Sequence, residues 1–588
     1  MDKKAETPRE VSLFIPRSYL TTEGNKTGSW RFLRPRYEEK TAPCSAACPA
    51  AEDIGMIQML TTQGSFEDAW QTILRENPFP GICGRVCFHP CEDVCNRGEF
   101  DEAVAIHLIE RFLANTAHRN AFPFELKGVV PKKQKIAVIG AGPAGLSAAY
   151  FLRLLGYRVD VFERASEAGG VLRWGIPLYR LPLAVLREEV RRIEALGVRI
   201  LTGKSIACGD MNALGREYDA FFLACGYGRS MTLGIPGEGL EGVQDSLSFL
   251  RTIREEGTAP FRGQAAIIGG GNAAIDVARS IIRLGGKALI IYRRRRQDMP
   301  AFGEEVVRAL EEGVELLELR APVSIRKTRG DLAVKLCSMK IVETGADGRA
   351  RVEPEEGDPE EIQVTRLFTA IGEEVEESWY APPEGEDGVL RLNHCIVNQK
   401  PGGTFVYGGD LTNGIKSVVH AVASGKEAAM ALDSLFTEGV KSIQARLAAC
   451  HTGASPALSM EMYMHGPRSD RSPHVVTYNE INTDYFHFDP RVKQPRLLRE
   501  ERSRSFGEVN LKISANLAIR ETERCFNCGL CNQCDNCYLF CPDLAIKKDS
   551  GPLGRHIDYD YCKGCGVCAV ECPRNALILE EEAYEEGH

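Results

Sequence analysis

Two cysteine ladders near the C-terminus constrain this chain more than any other feature. Cys531-x2-Cys534-x2-Cys537-x3-Cys541 runs into Pro542, and Cys562-x2-Cys565-x2-Cys568-x3-Cys572 runs into Pro573. In this spacing three close thiolates bind one iron–sulfur cube and the fourth reaches the neighbouring cube. The ligand sets that follow are Cys531, Cys534, Cys537 and Cys572 for one cluster, and Cys562, Cys565, Cys568 and Cys541 for the other. A zinc ribbon needs four ligands per site and does not call for so tight a ladder ending in Cys-Pro. Cys525-x2-Cys528 extends the first ladder in register, which leaves open that Cys525, Cys528 and Cys531 form the close triplet. Such clusters move single electrons, so the chain needs an electron source.

The remaining cysteines argue for metal rather than disulfides. Of 21, six lie between Cys44 and Cys95 and ten between Cys525 and Cys572; only Cys208, Cys225, Cys337, Cys395 and Cys450 lie between these groups. Met1–Glu10 is polar and Val11–Ile15 is too short for the apolar core of a signal peptide. The expectation is a reducing, cytoplasmic setting with thiols as metal ligands. A net charge of −9 argues against nucleic acid, and no apolar run is long enough to span a membrane. At 588 residues, with 44% hydrophobic and 26% charged, the chain has material for several domains with buried cores.

Two strand–glycine turn–helix patterns supply the candidate source. Lys135–Ile139 runs into Gly140-Ala-Gly142-Pro-Ala144-Gly145 and a helical stretch. The first glycine permits the tight turn, the second lets backbone approach a pyrophosphate, and the third lets helix and strand pack closely. A second strand, Arg158–Phe162, ends in Glu163, placed to bind a ribose hydroxyl. The other unit begins at Ala265 and carries Gly269-Gly-Gly271-Asn272-Ala273. Its next strand ends in Arg293-Arg294-Arg295-Arg296 instead of an acid. Arginines there suit a 2′-phosphate, so Arg293 and Arg294 point to NADPH over NADH, while Arg295 and Arg296 read as a solvated face. A hydride brings two electrons and a cluster takes one. A flavin bridges that mismatch, which makes the first turn an FAD site.

Further motifs carry a resemblance. Glu167-Ala-Gly-Gly170-Val-Leu-Arg-Trp-Gly-Ile-Pro177, Tyr179-Arg-Leu-Pro182, Ala224-Cys225-Gly226 and Gly408-Gly-Asp410 together resemble the small subunit of glutamate synthase and its relatives, including the electron-input half of dihydropyrimidine dehydrogenase. The resemblance covers roughly residues 36–435. It implies that Gly140, Gly142, Ala144, Glu163, Gly170 and Asp410 contact FAD, and that the helix after Ser417 aims its positive end at the flavin ring. Cys225 departs from the family's usual Ala-Thr-Gly stretch and reads as a small buried thiol. Cys44-x3-Cys48-Pro and Cys83-x3-Cys87-x3-Cys91-x3-Cys95 resemble the family's N-terminal iron–sulfur domain. That resemblance implies Cys48, Cys87 and Cys91 as cluster ligands, with Glu110 either a fourth ligand or an exposed helix carboxylate. The family's additional Cys-x2-Cys ahead of Cys44 is missing here, so one usual cluster has lost ligands. Cys44, Cys83 and Cys95 stay open between a second cluster, alternative ligands and inert thiols.

The expected fold class is multidomain α/β. A helical iron–sulfur domain spans 1–130, an FAD-binding Rossmann-like domain 131–262 and 400–435, and an NAD(P)H-binding one 263–399. The Pro-rich, aperiodic stretch 436–520 reads as an extended connector on the surface, 521–588 as a ferredoxin-like α+β domain, and Glu580–Glu586 as a solvated acidic tail. The expected function is an NAD(P)H:acceptor oxidoreductase, moving electrons between NADPH, FAD and at least three [4Fe–4S] clusters to or from a ferredoxin or a partner enzyme in a hetero-oligomeric complex. The alternative is a non-catalytic wiring subunit of a 2-oxoacid oxidoreductase, sulfite reductase or glutamate synthase type. A flavin disulfide reductase needs a cysteine pair near the flavin, and only isolated cysteines lie between residues 130 and 440.

Overall fold

The computed structural model describes residues 24–582 except 125–127, 258, 346–347, 386–387, 401 and 552. The polar start, Met1–Ile15, and the end of the acidic tail therefore lie outside the described residues. The chain forms two compact units. The larger comprises Lys40–Tyr478 and Phe486–Cys528; the smaller comprises the described parts of Met1–Glu39 and Gly529–His588 together with Asn479–Tyr485.

Two parallel sheets organise the larger unit. In the first, the strand order is Val389–Arg391, Cys395–Lys400, Gly403–Gly408, Ala220–Leu223, Lys135–Ile139, Arg158–Phe162, Arg199–Leu201. The last five strands run parallel and the first two join antiparallel. Its central strand Ala220–Leu223 is buried along its whole length, packed by the helix Pro143–Leu154 and by an apolar cluster that includes Tyr218, Tyr380 and Leu411. The helix Pro143–Leu154 packs against the 21-residue helix Val418–Glu438. Their approach is close because Gly425 meets Ala144 and Ala148; a Cβ on Gly425 would overlap the Ala144 carbonyl. The second sheet has five parallel strands in the order Glu315–Glu318, Lys287–Tyr292, Gln264–Ile268, Arg366–Thr369, Val243–Asp245. Val243–Asp245 precedes position 263, so this fold starts earlier in the chain than its glycine motif suggests. A separate antiparallel layer, built on Leu332–Thr344, is inserted between the strands Glu315–Glu318 and Arg366–Thr369 of this sheet.

Ahead of these sheets lie the helices Ile54–Thr62, Phe66–Glu76, Pro80–Val86 and Ile106–Asn120, whose core includes Ile57, Trp70, Ile73, Ile109 and Leu113. The stretch 436–520 is not simply a surface connector. Cys450, Leu458, Met460, Tyr463, Val476, Val492 and Val509 are buried. Ser459 Oγ and the backbone amides of Met460 and Glu461 donate to the buried Glu76 carboxylate, at 2.5, 2.8 and 3.0 Å. Lys426 Nζ meets the same carboxylate at 2.5 Å. A buried carboxylate must be paired and fully hydrogen-bonded, and this stretch supplies the missing donors. Its lack of periodicity reflects side chains inserted one at a time.

In the smaller unit Leu33–Tyr37 pairs antiparallel with Leu577–Glu581, and Ile546–Lys548 with Arg555–Ile557. Residues 1–35 look irregular by sequence, yet Leu33, Arg34 and Pro35 belong to this strand. The start of the acidic tail is not merely solvated either: Glu580 meets Arg34 and Arg36 at 2.7 and 3.0 Å, and Glu582 meets Arg31 at 2.5 Å.

Candidate cofactor sites

The first glycine turn opens into a cavity of about 830 Å³ in the larger unit. Gly140 has φ +104°, and a Cβ there would stand 2.5 Å from the Ala224 carbonyl oxygen; on Gly145 it would overlap the Gly140 oxygen. Gly142 differs, because no atom lies within 4 Å of where its Cβ would be. That opening, at the N-terminus of Pro143–Leu154, has room for a diphosphate against backbone amides. Glu163 is buried, and its carboxylate accepts from the Ala141 and Ala165 amides at 2.8 Å each. Ala144, Gly170 and Asp410 complete this wall, and Ala421, in the first turn of Val418–Glu438, also lines the cavity. Burial raises the Asp410 carboxyl, against the pull of Lys416.

The cavity crosses to the second nucleotide fold, where Val243, Asp245 and Thr369 line it. Glu373, half-buried there, is pushed up to about 7 by burial and by Asp410 and Asp245. Cys225 is the cavity's single cysteine among the described residues; burial pushes its thiol up to about 12, and Sγ lies 3.6 Å from the Ile139 oxygen. No dithiol faces this space.

The second turn repeats the pattern. Gly269 has φ +139° and its Cβ position collides with Ala370, whereas Gly271 faces open space. Asn272 and Ala273 begin the helix Asn272–Arg283, and Asn272 Oδ1 accepts from the Phe302 amide at 3.1 Å. Arg293 is exposed just beyond Lys287–Tyr292. Arg294 donates from Nε to the Ala350 oxygen at 2.6 Å. Arg295 is not merely solvated, since it pairs with Asp298 at 2.9 Å.

The thiols gather into separate sites. In the smaller unit Cys531, Cys534, Cys537 and Cys572 line one small cavity, and Cys541, Cys562, Cys565 and Cys568 line another. Backbone amides of Ala545 and Ala576 donate to Cys541 and Cys572 Sγ at 3.3 Å, and Tyr37 Oη stands 3.2 Å from Cys537 Sγ. In the larger unit Cys48, Cys87, Cys91 and Glu110 line a third small cavity, joined by Cys83 and Glu52. Glu110 is buried, not an exposed helix carboxylate; burial and Glu52 raise its carboxyl far above the usual range. Asn77 Nδ2 donates to both Glu52 and Glu110, at 2.7 and 3.2 Å. Glu52 follows Cys48 by four residues but belongs to no cysteine motif. His107, whose Nδ1 meets Glu92 at 2.7 Å beside His89, is brought there by the fold.

These residues fit the groups the sequence implies. Open Cβ positions at Gly142 and Gly271 suit diphosphates, and amides aimed at sulfur suit cluster thiolates, since a neutral thiol is a weak acceptor.

Comparison with known proteins agrees with this inventory. Residues 134–425 match the pyridine nucleotide-disulphide oxidoreductase family, 37–122 the dihydropyrimidine dehydrogenase domain II, 4Fe-4S cluster family, and 555–578 the 4Fe-4S binding domain. The chain is 36% identical over 431 residues to the NADP(+)-dependent formate dehydrogenase subunit beta of Moorella thermoacetica, covering 68% of this chain and only 61% of that one. It is 29% identical over 550 residues to the NADPH-Fe(3+) oxidoreductase subunit beta of Geobacter sulfurreducens, covering 87% and 78%. It is 31% identical over 415 residues to the glutamate synthase [NADPH] small chain of Halomonas elongata, covering 66% and 86%.

Proposed function

Since the chain belongs to the family of the glutamate synthase [NADPH] small chain, an iron–sulfur oxidoreductase family, we propose that it is the NADPH-oxidising, FAD-containing subunit of a larger redox complex. The supporting observation is the 830 Å³ cavity that joins the Gly140–Gly145 turn to the second nucleotide fold and offers no cysteine pair. When bound, NADPH supplies a hydride, FAD accepts two electrons and releases them singly, and cubes carry them one at a time.

The chain's own groups set the order. Gly142 and the amides of the first helical turn hold the FAD diphosphate, and Glu163, fixed by Ala141 and Ala165, offers an oxygen to the ribose. Asp410 faces the flavin's polar chain and the N-terminus of Val418–Glu438 favours negative charge near the ring. Glu373, balanced near neutrality, is placed to hold or release a proton in the same space. Gly271 and Arg293 hold NADPH, with Arg294 in support. Among the described residues no cysteine pair faces the cavity; Cys48, Cys87, Cys91 and Glu110 in the larger unit and the two cysteine quartets in the smaller unit would hold the clusters, which would supply one-electron transfer. The relatives' own names, a formate dehydrogenase subunit beta and a glutamate synthase small chain, make each of them one part of a larger enzyme, and the class of acceptor read from this is an enzyme subunit or a ferredoxin.

Anaerobic titration with NADPH tests this reading. Bleaching of bound FAD by NADPH, faster than by NADH, is the expected result. Flavin that stays oxidised would leave the chain as a wiring subunit.

A further inference from the structure

Four cysteines of the terminal groups remain without a site: Cys44, Cys95, Cys525 and Cys528. We propose that these four hold an additional iron–sulfur cube in the larger unit, with ligands drawn from opposite ends of the chain.

The placement begins with the helix Ala515–Glu523. It packs on Ile54–Thr62 and Ile106–Asn120 and buries Ala518 in their core. Glu521 accepts from the Ala105 amide at 2.8 Å, and Arg524 meets Asp101 at 2.9 Å. Arg97 Nη1 donates to the Arg524 carbonyl at 3.0 Å, and its guanidinium lies over the Phe526 ring. The following loop is held at both ends. Asn527 Nδ2 donates to the Gly55 oxygen at 3.0 Å, and Asn96 Nδ2, one residue beyond Cys95, lies 3.4 Å from Cys528 Sγ. Cys44 and Cys528 are buried. Cys95, Cys525 and Cys528 are cysteines that neighbour Cys44.

The loop also has the backbone of a cluster ligand. Asn527 has φ +49°, and its amide donates to Cys525 Sγ at 3.4 Å. The same offset recurs two residues after Cys87, where His89 has φ +58° and donates to Cys87 Sγ at 3.4 Å. It recurs again after the first cysteine of each ladder, at Gln533 with φ +61° and Gly564 with φ +69°. Three of these four are not glycine. A left-handed conformation is uncommon for such residues and persists where surrounding structure demands it. What the four positions share is a preceding cysteine.

The spacing of the sulfurs is wider than a zinc site needs. Tetrahedral zinc–thiolate bonds of about 2.3 Å put sulfurs about 3.8 Å apart. Among the described residues no three of these sulfurs lie within 4.8 Å of one another. Cys531 lines a small cavity with Cys534, Cys537 and Cys572, and neither Cys525 nor Cys528 lines it.

The inference rests on the reading of the terminal cysteines as cluster ligands, and iron counts on the full-length protein test it. Anaerobically reconstituted protein should hold roughly sixteen iron atoms per chain, four cubes in all. The Cys525→Ser/Cys528→Ser and Cys44→Ser variants should each hold roughly twelve, and their combination no fewer, because one site is lost in each. On the wild-type holoprotein, iodoacetamide should label the exposed Cys208 at once and all four proposed ligands only after iron chelation, a readout independent of how the variants fold. Roughly twelve iron atoms in the wild type, prompt labelling of Cys44 and Cys525, or zinc in their place would each overturn the proposal. Normal flavin bleaching with twelve iron atoms would refute this site alone; sixteen without bleaching would refute the functional reading instead.

Discussion

The smaller unit gathers eight cluster thiols from one short stretch, Cys531 to Cys572, whereas the larger unit joins groups such as Asn96 and Cys528 across 432 residues. Loop closure is only logarithmic in length, so closing that long loop instead of one of about thirty residues costs about 2 kcal/mol more. Burial of Ala518 and the Arg97, Glu521 and Arg524 hydrogen bonds offset it. The difference is felt in the order of assembly, since distant contacts wait for the intervening chain to fold. The larger unit holds carboxyls shifted both ways, Glu92 and Glu305 being lowered by cationic neighbours. Glu110 and Glu189 in the larger unit are raised by burial, whereas Asp535, Glu580 and Glu582 in the smaller unit are lowered by arginine partners.

The largest expected effect comes from where the chain is cut. A chain ending near Gly529 removes the eight ladder thiols and should lose roughly eight iron atoms while keeping its flavin. A chain ending near Glu500 also removes Ala515–Glu523, and should lose roughly four more iron atoms and unfold more easily. Equal iron in both truncations, measured per flavin, would erase the distinction between local and distant ligands.

Gly145→Ala comes next. Its Cβ would overlap the Gly140 carbonyl, so flavin should be absent from purified protein while the two cubes of the smaller unit persist by electron paramagnetic resonance. Loss of all clusters together would mean that the units do not hold their cofactors independently.

A smaller effect is expected at the 2′-phosphate. Arg293→Ala with Arg294→Ala should weaken NADPH tenfold or more and spare NADH, from charge-assisted bonds of about 1.5–3 kcal/mol each. Because Arg294 already donates to Ala350, Arg293→Ala alone should account for most of it. Steady-state KM values for both nucleotides decide the matter.

The smallest effect is in pH. Glu189 accepts from the Gly81 and Ile82 amides and is pushed up to about 7 by burial. The folded state then holds its proton more tightly than the unfolded one, so stability falls as pH rises from about 4.5 to 7 and levels above that. Glu189→Gln should flatten this slope in urea unfolding followed by tryptophan fluorescence. The lowered acids of the smaller unit act oppositely, and their contribution is lost only as pH falls below the usual carboxylate range.

Legibility followed the same division. Both glycine turns and both ladders are local patterns, and each could be read from a few dozen residues. Cys525 and Cys528 could not be placed, because register with the first ladder and proximity to Cys44 are both compatible with their spacing, and only the docking of Ala515–Glu523 separates them. Leu33–Tyr37 looked irregular because its strand partner is Leu577–Glu581. Ser459–Glu461 looked like surface chain because the Glu76 carboxylate that requires it carries no motif.

The central claim is that hydride chemistry belongs to the larger unit and delivery of single electrons to the smaller. Stopped-flow comparison of the full chain with one ending near Gly529 tests it most directly, using NADPH as donor and a purified two-cluster ferredoxin as acceptor. Flavin reduction should proceed at the same rate in both, and ferredoxin reduction should survive only in the full chain. Full-rate ferredoxin reduction by the shortened chain would contradict the account and place the exit in the larger unit.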